Sequence, residues 1–289
     1  MTRAPFVNKL PALTGWEESA HSLHRAAELL GAIRMLVRDP MPNYLELALR
    51  VDPSGLSTDV LPSGGSVVLD FGKAALIVTS KSGAQASLEL NAHTQASLLE
   101  AVLGTLDANG EGLAPARNGS LSKGFLAALH AKMHTLYGSL ELTSTEPLTV
   151  DPKVSAEYGA ALYGVFTAIA RWKARLTGPQ TPLVVWPEHF DLSTLWFASG
   201  HAEESGPHMN YGFAPFDAIH PRPYLYAYAY PMPGGFERLP LPKPAQWHTE
   251  GWKGVYVPYD ELAKSNDPEA LIERIFGDVY RVLASTLQR

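Results

Sequence analysis

The sequence predicts an α+β protein made of two similar halves, each a helix, a run of antiparallel strands and a closing helix, with the helices packed on one face of the sheet or sheets. Three observations carry this. Apolar residues recur at helical spacing from Trp16 and again from Val154. Short stretches of good strand formers follow each helix, joined by links too short for a parallel crossover. Finally, one ungapped offset of 136 residues places Leu56-Ser57-Thr58 on Leu192-Ser193-Thr194, Leu47 on Leu183, Ile33 on Ile169 and Ser19-Ala20 on Ser155-Ala156.

The first helix is expected over 16–38, with Leu23, Ala27, Leu30, Ile33 and Val37 on one face. Asp39-Pro40-Met41-Pro42 ends it, because proline lacks the amide donor and restricts the residue before it. Strands are expected over 44–51, 56–61, 66–71, 74–79 and 86–90, separated by Gly, Ser, Asp and Pro turns. A helix over 94–106, with Thr94 as N-cap, closes this half.

Residues 1–107 thus form the first repeat, and 108–150 a connection with an extra helix over 121–137. Residues 151–289 form the second repeat and carry the candidate site. There a helix over 154–176 presents Leu162, Phe166, Ile169 and Trp172. Strands are expected over 183–186, near 210–213, over 224–230 and over 252–258, and a helix over 267–287 is opened by Asp267-Pro268.

Composition narrows the function classes. Lys and Arg number 23 against 29 Asp and Glu, a net charge of −6 without a basic cluster, which disfavours nucleic acid. The absence of cysteine removes disulfides, thiolate metal sites and a Cys nucleophile. No stretch reads as a signal peptide or membrane span, so a cytoplasmic location without membrane contact is expected. Phosphate-loop and serine-hydrolase elbow motifs are missing.

Two features of the second half suggest chemistry. His189 with Asp191, and His248 with Glu250, are each two residues apart, so on extended chain each pair points to one side. Brought together, His189, Asp191, His248 and Glu250 would suit a divalent metal such as Zn²⁺, Fe²⁺ or Mn²⁺, or supply a base and its orienting group. A histidine beside prolines and aromatics is more often a structural one, and neither spacing is a specific metal signature.

The other feature is the stripe Tyr224, Tyr226, Tyr228 and Tyr230, which alternates with Leu225, Ala227 and Ala229. Alternation puts the phenols on one strand face and leaves small residues on the other for a close-packed helix. With Trp196, Trp247, Trp252 and Asp217, Tyr224, Tyr226 and Tyr228 would line an apolar groove with polar tips. Tyrosine is also simply a good strand former. His130 and His134, four apart on a helix, read as a solvated or packed pair, and His201, His208, Asp217 and His220 are scattered through loops and could join a site only by folding together.

Several segments together resemble the bacterial DUF5996 family. They are the run from Trp16 to Ile33, Gly55-Leu56-Ser57-Thr58, Trp186 to Leu192, Met209-Asn210-Tyr211-Gly212-Phe213, Pro223 to Pro231, and Trp247-His248-Thr249-Glu250-Gly251-Trp252. The resemblance covers most of the chain and implies no activity, cofactor or partner. Against the family pattern, Glu188 stands where a first of two histidines is usual, and Asp217 follows Gly212-Phe213 one residue later than the usual carboxylate.

Three functions follow, in order of preference. The first is binding of a small organic ligand or peptide in the aromatic groove of the second half. The second is a metal-dependent hydrolase or lyase using the His/Asp/His/Glu set. The third is a structural or self-associating protein without a site.

Overall fold

The computed structural model describes residues 9–62, 64–108, 142, 144–198, 200 and 202–287. The expected helix over 121–137, with His130 and His134, lies outside the described residues, as does His201. The architecture is α+β, with two antiparallel sheets of five and six strands and helices packed against them. Two compact units are formed. One comprises residues 14–159 with 185–190; the other comprises 160–184 and 191–289 with the segment up to Leu13. Among the described residues, no helix is long and apolar enough to cross a membrane.

In the first unit, helix α1 (Trp16–Val37) leads to strands β1 (Arg50–Asp52), β2 (Gly55–Ser57), β3 (Ser66–Asp70), β4 (Ala75–Thr79) and β5 (Gln85–Glu89). They pair in sequence order as an antiparallel meander, and helix α2 (Gln95–Ala108) follows. Val67, Leu69, Leu76 and Val78 alternate inward, while Leu23, Ala27, Leu30 and Ile33 of α1 are fully buried. Val37 is only half-buried. The Thr94 hydroxyl accepts the Ser97 amide at 3.2 Å, the expected cap of α2.

Residues 44–51 are not a continuous strand. Asn43 and Tyr44 have left-handed backbones (φ 54° and 55°), and the chain turns before pairing begins at Leu49. Buried Arg34 holds this turn by donating to the carbonyls of Leu45, Glu46 and Thr58, and the Glu46 carboxylate accepts the Met41 amide at 2.9 Å. Those bonds satisfy turn groups that a strand would have paired with a neighbour.

Residues 185–190 are built into this unit. Val185 bridges Leu49, and Pro187 lies where a Cβ on Gly31 would come within 2.3 Å of its Cγ. His24 Nε2 lies 3.0 Å from the Pro187 carbonyl and Phe190 is fully buried, its ring 5.4 Å from that of Tyr158.

The six-stranded sheet contains β6 (Val184–Trp186), β7 (Asp191–Phe197), β8 (His208–Ala214), β9 (Tyr224–Tyr230), β10 (Gln246–His248) and β11 (Gly254–Pro258). Their order is β10-β11-β9-β8-β7-β6. The helices are α3 (Pro152–Lys173), α4 (Tyr259–Ala263) and α5 (Pro268–Leu287). Asp151 caps α3 by accepting the Lys153 amide, and Asp267 caps α5 through the Ala270 amide at 2.9 Å.

Phe166 is half-buried, whereas Ala161, Leu162, Val165, Ala168, Ile169 and Trp172 of α3 are buried. Trp172 meets Tyr211 and Phe276, with ring centroids 4.4 and 5.3 Å away, and Arg171 bonds Glu269 at 2.6 Å. Leu225, Ala227 and Ala229 of β9 are buried, and α5 packs on β8 and β9. Small residues on that face permit the close helix approach expected from the alternation.

Candidate functional site

Strand register fixes what stands beside the tyrosines. On β8, Ala214, Gly212 and Asn210 face Tyr224, Tyr226 and Tyr228, and on β11 Tyr256 faces Tyr226. Gly212 is required by its neighbour, because a Cβ there would lie 2.4 Å from the Tyr226 ring. Tyr226 therefore lies across its partner strand and donates to the Asp191 carboxylate at the head of β7. Both are buried, and Tyr226 titrates well above the ordinary phenol because of that burial and the adjacent Asp191 charge. Tyr228 is half-buried, and its hydroxyl accepts the Asn210 amide at 3.0 Å.

Asp217 organises the other end of the stripe. It opens a tight turn in which its carboxylate accepts the Ile219 amide at 2.7 Å and the His220 amide at 2.6 Å. The Tyr224 hydroxyl donates to it at 2.6 Å, His220 Nδ1 at 3.1 Å and Trp252 Nε1 at 3.4 Å. Burial alone would raise the carboxyl pKa, but the bonds from Tyr224, His220 and Ile219 outweigh it and hold the group at about 2. Tyr224 is pushed the other way, by burial and then by its bond to that carboxylate.

Around Asp217 the rings close on one another. His220 stacks on Tyr256 at 4.2 Å, His248 lies 4.9 Å from His220 and 4.3 Å from Trp252, and Trp252 stacks over Tyr224 at 6.1 Å. Tyr224 and Tyr226 are buried floor residues, whereas His220, His248, Trp252 and Tyr256 are half-buried. Gly254 makes room for this arrangement, since a Cβ there would meet the Trp252 ring at 2.8 Å and the Ala227 carbonyl at 2.6 Å.

Of the expected groove residues, Tyr224, Tyr226, Tyr228, Trp252 and Asp217 are gathered on one face of the sheet. Trp196 is elsewhere, its indole donating to the Thr177 carbonyl at 2.8 Å and its ring meeting Tyr280, and so is Trp247. Strand alternation sends it to the face opposite His248, where Nε1 donates to the Leu239 carbonyl at 2.9 Å and the ring packs on Phe236. His220 and Tyr256 complete the cluster.

The two His–carboxylate pairs do not lie on extended chain. Phe190, between His189 and Asp191, has φ 56°, and His189 sits in a turn within the first unit. His248 ends β10, and its Nε2 lies 2.6 Å from the carbonyl of Glu250, which is exposed in the following bend. Among the described residues, no group of three or more His, Asp or Glu side chains is arranged to hold a metal ion.

A family of unknown function, DUF5996, matches residues 8–117 and 142–288. The chain belongs to this family. The two matched stretches carry both sheets of this DUF5996 chain, including every residue of the aromatic cluster. No curated protein and no solved structure matches the chain.

Proposed function

We propose that this protein binds a small planar organic ligand against His220, His248, Trp252 and Tyr256. One observation carries the reading: half-buried rings are gathered about an ionised carboxylate whose hydrogen bonds fix two of them in place. Rings on an unorganised surface would each lose rotamer freedom on binding. Here Asp217 has already removed much of that freedom from His220 and Trp252, which lowers the cost of association. The rings offer apolar faces with nitrogen and hydroxyl edges, the usual character of an organic-ligand site.

Saturation-transfer NMR with a panel of mono- and bicyclic aromatic fragments tests this. At least one class should bind with a dissociation constant of about 1 mM or tighter, equivalent to about −4 kcal/mol. Folded Trp252→Ala and Tyr256→Ala proteins should weaken the same fragments roughly tenfold, in keeping with the contribution of an aromatic contact. A panel without a binder, or affinities untouched by both substitutions, would refute the reading.

A further inference from the structure

We infer that the ligand presents an N–H or O–H group to Nε2 of His220, so that the site selects planar protic compounds over isosteres lacking the donor. This rests on the binding proposal above and specifies its chemistry.

The derivation begins at Asp217. Its carboxylate is ionised and therefore only accepts hydrogen bonds. One oxygen takes the Ile219 and His220 amides, and the other takes the Tyr224 hydroxyl. His220 Nδ1 lies 3.1 Å from both oxygens, so Nδ1 must carry a hydrogen to contribute a bond there. In a neutral imidazole one nitrogen then remains to accept, and it is Nε2.

Among the described residues no hydrogen-bond donor is paired with that nitrogen. The ring is nevertheless held tightly, by Tyr256 stacked on it at 4.2 Å and by the rings of Tyr224 at 5.1 Å and His248 at 4.9 Å. A fixed acceptor beside aromatic faces favours a ligand that stacks and donates at once. A polar site group left without its partner discriminates against analogues more strongly than apolar contact does.

Two measurements on the full chain test this. Nitrogen-15 NMR of labelled protein at about pH 8, above the ordinary imidazole range, reads the tautomer directly. His220 Nε2 should resonate as an unprotonated, pyridine-type nitrogen and Nδ1 as a protonated one; the opposite assignment overturns the inference whatever binds. Matched pairs are then titrated: indole against benzofuran, and 2-naphthol against 2-fluoronaphthalene. The protic member of each pair should bind about tenfold tighter, and the preference should vanish in folded His220→Phe.

Equal binding within both pairs would overturn the inference while leaving the binding proposal standing. Equal preference in wild type and His220→Phe would do the same, by moving the selecting group elsewhere. Failure of all four compounds to bind would count against both.

Discussion

Gly212→Ala is the sharpest test of how the aromatic face is built. The new methyl would lie 2.4 Å from Cζ of Tyr226 and 2.5 Å from its hydroxyl oxygen, against the roughly 3.5–4.0 Å of an ordinary contact. The ring therefore has to move by about an ångström, and its hydroxyl is the group bonded to buried Asp191. Overpacking costs about 1–3 kcal/mol. Loss of a hydrogen bond to a charged group adds about 1.5–3 kcal/mol. Together these give a loss of about 2.5–6 kcal/mol, or a fall in melting temperature of roughly 5–20 °C for a unit of this size.

Gly234→Ala is the control, since a Cβ at Gly234 meets nothing within 4 Å. Chemical denaturation of Gly212→Ala, Tyr226→Ala and the double variant isolates the clash as a coupling energy. In the Tyr226→Ala background, Gly212→Ala should cost less than about 1 kcal/mol, because the ring it strikes is gone. A similar cost in both backgrounds, or no cost in wild type, would refute the packing argument.

Three further outcomes follow from the charges and anchors. Burial raises the Glu28 carboxyl from its usual 4.5 to about 7, so the folded chain holds a proton that the unfolded chain has released, and stability falls as pH rises across that interval. Glu28→Gln should therefore gain about 3 kcal/mol over wild type at pH 8 and nothing at pH 4, read by urea denaturation; a pH-independent difference would contradict this. His24, lowered by burial to about 4, acts with the opposite sign.

Asp217 has a depressed pKa, so its contribution of about 2 kcal/mol is full above 3.8 and fades as pH falls towards 2. The stability gap between wild type and Asp217→Asn should stay level down to about pH 4 and narrow from there to pH 2, and a constant gap across that window would argue against an ionised, bonded carboxylate. Arg222 chelates Asp260 and donates to the carbonyls of Ala12 and Leu13. As this pair is partly exposed, Arg222→Ala should cost only about 1 kcal/mol. Its main effect should be faster proteolysis of the segment around Ala12 and Leu13; unchanged cleavage there would show that the clamp does not hold it.

Much of the fold was legible because local patterns and tertiary needs agreed. The Tyr224–Tyr230 strand was readable from strict alternation, α1 and α3 from helical spacing, and the starts of α2 and α5 from Thr94 and Asp267-Pro268. The turn after Met41 was not. Its left-handed residues depend on the buried Arg34 guanidinium, whose role no local pattern announces.

The site divides in the same way. Tyr224, Trp252 and Asp217 could be chosen by residue type, but Tyr256 joins them through the β9–β11 register, which depends on a pairing distant in sequence. His220 had a local signal, an aspartate three residues earlier in a position to cap a turn. Trp247 was attractive by type, yet the one-residue parity of β10 sends it to the other face.

The most direct test of the binding proposal is a crystal structure with the tightest protic fragment from the panel. The ligand should lie against Trp252 and Tyr256 with its donor about 3 Å from Nε2 of His220. A fragment bound reproducibly elsewhere, with the rings of His220, His248, Trp252 and Tyr256 bare, would contradict the assignment of the site.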